Sequence, residues 1–322
     1  MKKIISSVLA LAFSLGLIAC SNPKDSSSVE NVPGLTDSGL QKDSSSVENV
    51  PELTDSGLTD FSSCDWYDDQ TLSILVIGNS FSDDTFEFLW NIATSLGIKN
   101  VSLGILYIGG SSLDLHYSNA VNNKASYVYR TNNSGVWFNN QSKTLEHGIK
   151  DQKWDFIAFQ QNSVSATDPT SFSNLNGLME YVRSICNKEA KFVWNMTWAY
   201  AADHVDMYKF NNDPMVMYNL ITQNVEQIII PNDAFCAISP SGTAIQNARS
   251  SRFNELVTRD TYHLSSIGRY IVALTFFKTI TGAKILDIEY SPTVLTGWKK
   301  DICLESAINA CKTPFETTQS AY

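Results

Sequence analysis

The chain has 322 residues, 43% of them hydrophobic and 11% aromatic, with a formal net charge of −10. That length and apolar content supply a sizeable core and exclude wholesale disorder. The acidic balance repels phosphate backbones and excludes nucleic acid as a partner.

The first residues read as a processing signal. Lys2 and Lys3 precede a mostly apolar run over 4–18, too short and too soon interrupted for a good membrane span. The run ends in Leu17-Ile18-Ala19-Cys20, which resembles a bacterial lipobox. Residues 1–19 are therefore expected to be a lipoprotein signal peptide. Cys20 is expected to be the lipidated mature N-terminus, anchoring an exported cell-envelope protein to a membrane without spanning it. The oligomeric state is not legible.

Residues 24–40 (KDSSSVENVPGLTDSGL) and 42–58 (KDSSSVENVPELTDSGL) repeat with one difference, Gly34 against Glu52. Such Ser/Asp-rich sequence cannot bury enough apolar surface to fold alone. Residues 20–65 are expected to be a flexible tether, able to reach on the order of 150 Å when extended; a duplicated binding motif is the alternative. Residues 66–322 form the expected folded domain.

In that domain Leu72–Ile77 reads as a strand, Thr85–Leu96 as helix-like, and Val101–Ile108 as a second strand ending in Gly109-Gly110. Residues 111–150 are polar, Asn-rich and dotted with aromatics, and read as helix plus loop. Further strands are expected at Asp155–Gln161, Lys191–Trp198 and Ala234–Ile238, with helices at Ser171–Cys186, Met215–Ile230 and Leu264–Thr281. Strands alternating with helices predict an α/β fold with a parallel sheet of about five strands covered on both faces. Ligand sites in such sheets lie at the carboxyl ends of the strands, where Ser80, Gly110, Gln160–Ser163 and Trp198 fall.

Five cysteines follow Cys20. Cys186 and Cys236 sit in apolar segments and read as core, whereas Cys303 and Cys311 are able to pair, although spacing does not settle it. No pair has zinc-like spacing, and His204 with Asp203 and Asp206 is poorly spaced for a metal, so no metal or cofactor is expected.

A serine nucleophile needs a base, and the base an orienting group. Ser80 closes the first strand in "VIGNSFSDD". His263 lies in "RDTYHLS", with Asp260 three residues earlier, close enough for the carboxylate to fix the imidazole tautomer. On its own that second motif also suits a helix-capping arrangement with a surface histidine. Together the two motifs resemble the SGNH (GDSL-like) hydrolase family over about residues 70–282. The resemblance implies a flavodoxin-like three-layer α/β/α sandwich, with Ser80 as nucleophile, His263 as base and Asp260 as its orienter. Gly78-Asn79 replaces the family's usual Gly-Asp, and a neutral amide there is expected to preserve the turn. The resemblance also implies an oxyanion hole from the Ser80 N–H, a glycine N–H at Gly110 (or Gly109), and a side-chain amide. In "FQQNS" that amide is Asn162 by direct alignment, or else Gln160 or Gln161. The blocks "IGNSFSDD", "YIGGSSLDLH", "FQQNS", "NMTWAY", "PSGTAIQNAR" and "RDTYHLS" are closer still to an SGNH-like family of exported bacterial proteins with no assigned substrate.

Four more residues are candidates for substrate contact. Trp198 and Tyr200 form either a stacking platform for a sugar or part of the core. Arg249 holds a substrate carboxylate or hydroxyl, or is a solvated arginine, and His116 lies on the same side of the sheet as Gly110. The expected activity is a serine esterase removing acyl groups, acetyl first, from a small-molecule or glycan ester. The alternatives are a catalytically silent glycan-binding module and an acyltransferase on the same triad.

Overall fold

The computed structural model describes residues 53–55, 64 and 70–322. The signal peptide, Cys20 and most of the expected tether lie outside the described residues. Among the described residues no helix is long and apolar enough to cross a membrane.

Five strands run parallel at the centre, in the order β2-β1-β5-β6-β7: β1 (Thr71–Gly78), β2 (Asn100–Tyr107), β5 (Phe156–Phe159), β6 (Lys191–Asn195) and β7 (Phe235–Ser239). β1 is central and buried along almost its whole length, as a strand covered on both faces must be. Two antiparallel strands, β3 (Tyr127–Asn132) and β4 (Phe138–Lys143), extend the sheet beyond β2 to seven. The sequence reading made this region helix plus loop. It missed the hairpin because β4 is an exposed edge strand of polar residues, FNNQSK, with no apolar face to alternate.

On one face α1 (Ser80–Phe86) and α2 (Leu89–Ser95) pack against α8 (Ser266–Thr281), which is buried on nearly all sides, and α8 packs on α7 (Ser241–Arg249) and α9 (Trp298–Lys312). A second group, α3 (Leu113–Val121), α4 (Leu145–Lys150) and α5 (Leu175–Ile185), packs together. The helix expected over Met215–Ile230 is α6 (Pro214–Asn224), continued by one π-helical turn over Val225–Ile229. Neither α7 nor α9 was expected from the sequence.

Cys64 and Cys236 form a disulfide, while Cys186, Cys303 and Cys311 are free. Pairing of Cys303 with Cys311 is ruled out because both lie on α9, eight residues and so about 12 Å apart along the axis. Three residues assigned to the tether also lie against the domain. The Asp55 carboxylate pairs with Lys278, a buried ammonium on α8, and accepts from the Leu286 N–H at 3.2 Å. The expected boundary at 66 is thus too late for Leu53–Asp55 and Cys64. Replacing Asp55 by alanine strands a buried charge, and a loss of about 3 kcal/mol or more in urea unfolding is the expected outcome.

Candidate active site

The serine loop is built from the end of β1. Asn79 is the N-cap of α1: its Oδ1 accepts from the Phe81 N–H at 3.0 Å and from Gln160 Nε2 at 2.7 Å, and its Nδ2 donates to the Ser111 carbonyl at 3.0 Å. One buried amide therefore ties the ends of β1 and β5 to the loop after β2. An aspartate here could accept but not donate, so the neutral amide both preserves the turn and adds a cross-link. Gly78 is required because a Cβ there would lie 2.1 Å from Ser82 Oγ.

Ser80, the first residue of α1, comes 2.8 Å from His263 Nε2 through its Oγ. On the other side of the ring, His263 Nδ1 lies 2.8 Å from Asp260 Oδ2, and Asp260 Oδ1 accepts from the His263 backbone N–H at 2.8 Å. Three residues expected to act together are thus in one hydrogen-bonded line. Partial burial opposes ionisation of Asp260, but the hydrogen bonds from the His263 ring and backbone and the nearby positive charges prevail, and its carboxyl sits below the ordinary value. It stands ready as an anion to hold the Nδ1 proton.

The loop carrying Asp260 and His263 is strained and strapped down. Thr261 has φ +72°, a left-handed conformation that costs a β-branched residue about 1–3 kcal/mol. Its carbonyl accepts from Ala201 N–H at 2.7 Å. The main strap is Asp84, four residues after Ser80 and fully buried. Its Oδ2 accepts from the Leu264 N–H at 2.8 Å, and its Oδ1 from Arg259 Nη1 at 2.9 Å and Arg269 Nε at 2.8 Å. The nucleophile helix and the histidine loop are thus joined through one carboxylate. Asp84 lies within the serine motif, yet the sequence assigns it no role; its signal there is an acid on a helix otherwise packed inward.

The loop after β2 turns at Gly110, whose φ of +64° suits the third position of a turn closed by Ser111 N–H to the Ile108 carbonyl at 3.2 Å. Among the described residues neither the Ser80 nor the Gly110 N–H has an acceptor, so both are available to an oxyanion. The side-chain amides divide clearly. Gln160 is spent on Asn79 and Ser82, and Gln161 on Leu113, Asn162 and Ser171. Both amide nitrogens are held by protein acceptors. Asn162 accepts from Ser165 N–H through Oδ1, which leaves its Nδ2 as the uncommitted donor.

All four expected substrate contacts are corrected. Trp198 and Tyr200 are buried: the Trp198 ring is tilted against Phe81 at 4.7 Å, and its Nε1 donates to the Tyr262 carbonyl at 2.8 Å, supporting the histidine loop. Arg249 is enclosed, bonded to Ala199, Gln246 and Glu255, and burial lowers its pKa despite Glu255. His116 is also buried, and burial lowers its pKa to about 3, so it is neutral. Its Nε2 meets Ser111 Oγ at 2.9 Å and its Nδ1 the Tyr127 hydroxyl at 3.0 Å. Ser111 gives its proton to the Ile108 carbonyl, so the Nε2 proton points to Ser111 and His116 braces the glycine loop. Two aromatics do lie against His263: Tyr262, with its ring centroid 3.9 Å away, and Phe81, edge-on at 6.0 Å.

Asp83 pairs with Arg130 of β3. Burial pushes the Asp83 carboxyl up to about 6, Arg130 opposing and Asp84 adding to the rise. Because the folded value lies above the unfolded one, Asp83 favours the folded state below about pH 4, and that contribution is lost as pH rises through 6. The melting temperature of the wild type is expected to fall more than that of Asp83→Asn between pH 4.5 and 7.5, as read by calorimetry. In urea unfolding, Asp84→Asn removes the buried charge with which Arg259 and Arg269 pair and is expected to cost about 3–5 kcal/mol.

Residues 73–310 match the family model described as "Domain of unknown function (DUF4886)". A crystal structure of a DUF4886 family protein from Bacteroides uniformis is 35% identical, with TM-score 0.74, covering 78% of this chain and 98% of its own. A candidate SGNH hydrolase from Slackia heliotrinireducens is 18% identical, with TM-score 0.42, covering 65% of this chain and 99% of its own. The salicylyl-acyltransferase SsfX3 from a tetracycline biosynthetic pathway is 12% identical, with TM-score 0.37, covering 69% of this chain and 58% of its own. No curated protein matches. With a family model spanning most of its length and a relative of the same family aligned over nearly all of that relative's chain, this protein belongs to the DUF4886 family.

Proposed function

We propose that this protein is a serine ester hydrolase that removes acyl groups, acetyl first, from carbohydrate. The observation that carries the reading is the continuous line from Ser80 Oγ through His263 to Asp260, with 2.8 Å at each link. Ser80 Oγ attacks the ester carbonyl carbon while His263 Nε2 takes its proton. The Asp260 anion holds the Nδ1 proton and stabilises the imidazolium. Negative charge on the carbonyl oxygen is met by the Ser80 and Gly110 N–H groups, with Asn162 Nδ2 as the side-chain donor. Collapse expels the alcohol, which takes the proton from His263. Water, deprotonated by His263, then attacks the acyl-enzyme, releasing the acid and restoring Ser80.

The address also belongs to this reading. A positive, apolar N-terminus ending in Leu17-Ile18-Ala19-Cys20 supports lipidation at Cys20 and a cell-envelope location, where esterified glycans are met. The second reading is a catalytically silent glycan-binding module, favoured by Asn79 standing where the resemblance expects an aspartate before the serine.

Release of p-nitrophenol from its acetate ester tests the reading on the full chain. Ser80→Ala and His263→Ala are each expected to lower kcat/KM by about 10³-fold or more, and Asp260→Asn by a smaller factor. Turnover that persists in Ser80→Ala would sink the assignment of the nucleophile.

A further inference from the structure

The mechanism above does not use the group of side chains beyond Ser80 toward the antiparallel edge of the sheet. Tyr107 pairs in register with Gly78, so it leaves the sheet on the face where α1 lies, beside the start of the serine loop. Arg130 pairs in register with Ile105, two residues before Tyr107, and so projects from the same face. Asp83 is three residues after Ser80 on α1 and shares its side of the helix. These three side chains come from three different elements and converge next to the nucleophile.

Their hydrogen bonding is incomplete in a particular way. Asp83 Oδ2 is held by Arg130, but among the described residues Asp83 Oδ1 is enclosed and has no partner. A buried carboxylate oxygen without a donor is costly, and a substrate hydroxyl is a donor. Arg130 spends Nη1 on Asp83 and Nε on Asn139, which leaves Nη2 to donate. The Tyr107 phenol takes part in no hydrogen bond among the described residues and lies against Gly109, one residue before the oxyanion glycine. Asp83 and Arg130 keep 22% and 24% of their side-chain surface, so the pair borders solvent although Oδ1 itself is enclosed. Trp137 flanks it, its ring centroid 5.7 Å from the Arg130 guanidinium. An acceptor, a donor and a hydroxyl set side by side match adjacent hydroxyls on one molecule, each of which both gives and takes a hydrogen bond.

The alcohol part of the ester is the part that these groups face. His263 must protonate the leaving oxygen, so the alcohol lies on the imidazole side. Tyr107 feels the charges of Asp83 and Arg130 and, more weakly, Tyr262, whose ring is tilted against that of His263. We propose that Asp83, Arg130 and Tyr107 form a subsite that reads adjacent free hydroxyls on the alcohol part of the ester, which makes the substrate an acylated polyol such as a sugar residue. This rests on the hydrolase reading and adds the residues that would choose its substrate.

The test compares two acetates of six-membered-ring alcohols, monoacetylated methyl β-xylosides and cyclohexyl acetate, which differ in the free hydroxyls. Wild type is expected to prefer the xylosides in kcat/KM by at least about 30-fold, since groups built to bond hydroxyls are left unpaired by the analogue without them. Tyr107→Phe removes only an oxygen that has no protein partner and is expected to cut that preference about 5-fold; Asp83→Asn and Arg130→Gln should cut it by about 10-fold or more. A wild-type preference near one, or a preference unmoved in all three variants, overturns the subsite. If wild type turns over neither xyloside, cyclohexyl acetate nor p-nitrophenyl acetate, the hydrolase reading fails and the subsite is decided by binding. Saturation-transfer NMR then compares the same two acetates. A xyloside preference that Tyr107→Phe weakens sustains the subsite, and equal binding removes it.

Discussion

A buried carboxylate joins the two halves of the candidate catalytic apparatus. Asp84 is fully enclosed, and the only way such a charge is tolerated is through complete pairing, which Arg259, Arg269 and the Leu264 N–H provide. Its position matters because α1 carries Ser80 and the paired loop carries His263, which are 183 residues apart in sequence. Desolvation makes partial pairing expensive, so the interaction is close to all-or-none, and the Ser80–His263 distance inherits that rigidity. The strained φ of Thr261 is compatible with this arrangement, since the loop is held at both its carbonyl and its following residues.

The same economy governs the oxyanion side. Asn79 connects the serine turn, Gln160 and Ser111 through three hydrogen bonds, and His116 braces Ser111 from below while remaining neutral. Backbone N–H groups that end without an internal acceptor, at Ser80 and Gly110, are thereby fixed in place before any substrate arrives. Preorganised dipoles of this kind stabilise developing charge without reorganising during the reaction. Gln160 and Gln161 belong to that supporting layer.

Residues that look like ligand contacts in the sequence turn out to bear load for others. Trp198 holds the Tyr262 carbonyl, and Tyr262 in turn packs tilted against His263, its neighbour in the chain. Arg249 is spent on Ala199, Gln246 and Glu255 within the domain. Whether a tryptophan or an arginine faces solvent depends on what covers it. Trp198 is covered by Phe81 and Tyr262, and Arg249 is held by Ala199, Gln246 and Glu255, contacts that the local pattern does not reveal.

The sequence by itself determined the five parallel strands, through short apolar runs ending in small or polar residues, and singled out Ser80, Asp260 and His263, which the fold brings into one hydrogen-bonded line, through two motifs whose residue types are chemically constrained. The β3–β4 hairpin escaped because β4, an edge strand exposed to water, needs no apolar alternation. The Cys64–Cys236 disulfide escaped because cysteine spacing carries no information on which chain ends meet. Only the tertiary structure decided which polar groups were free. Gln160, Gln161 and Asn162 are alike as letters, and Asp83 and Asp84 are neighbours. Hydrogen-bond capacity is shared out by packing between distant segments, so the role of each followed from which partners the fold delivered to it.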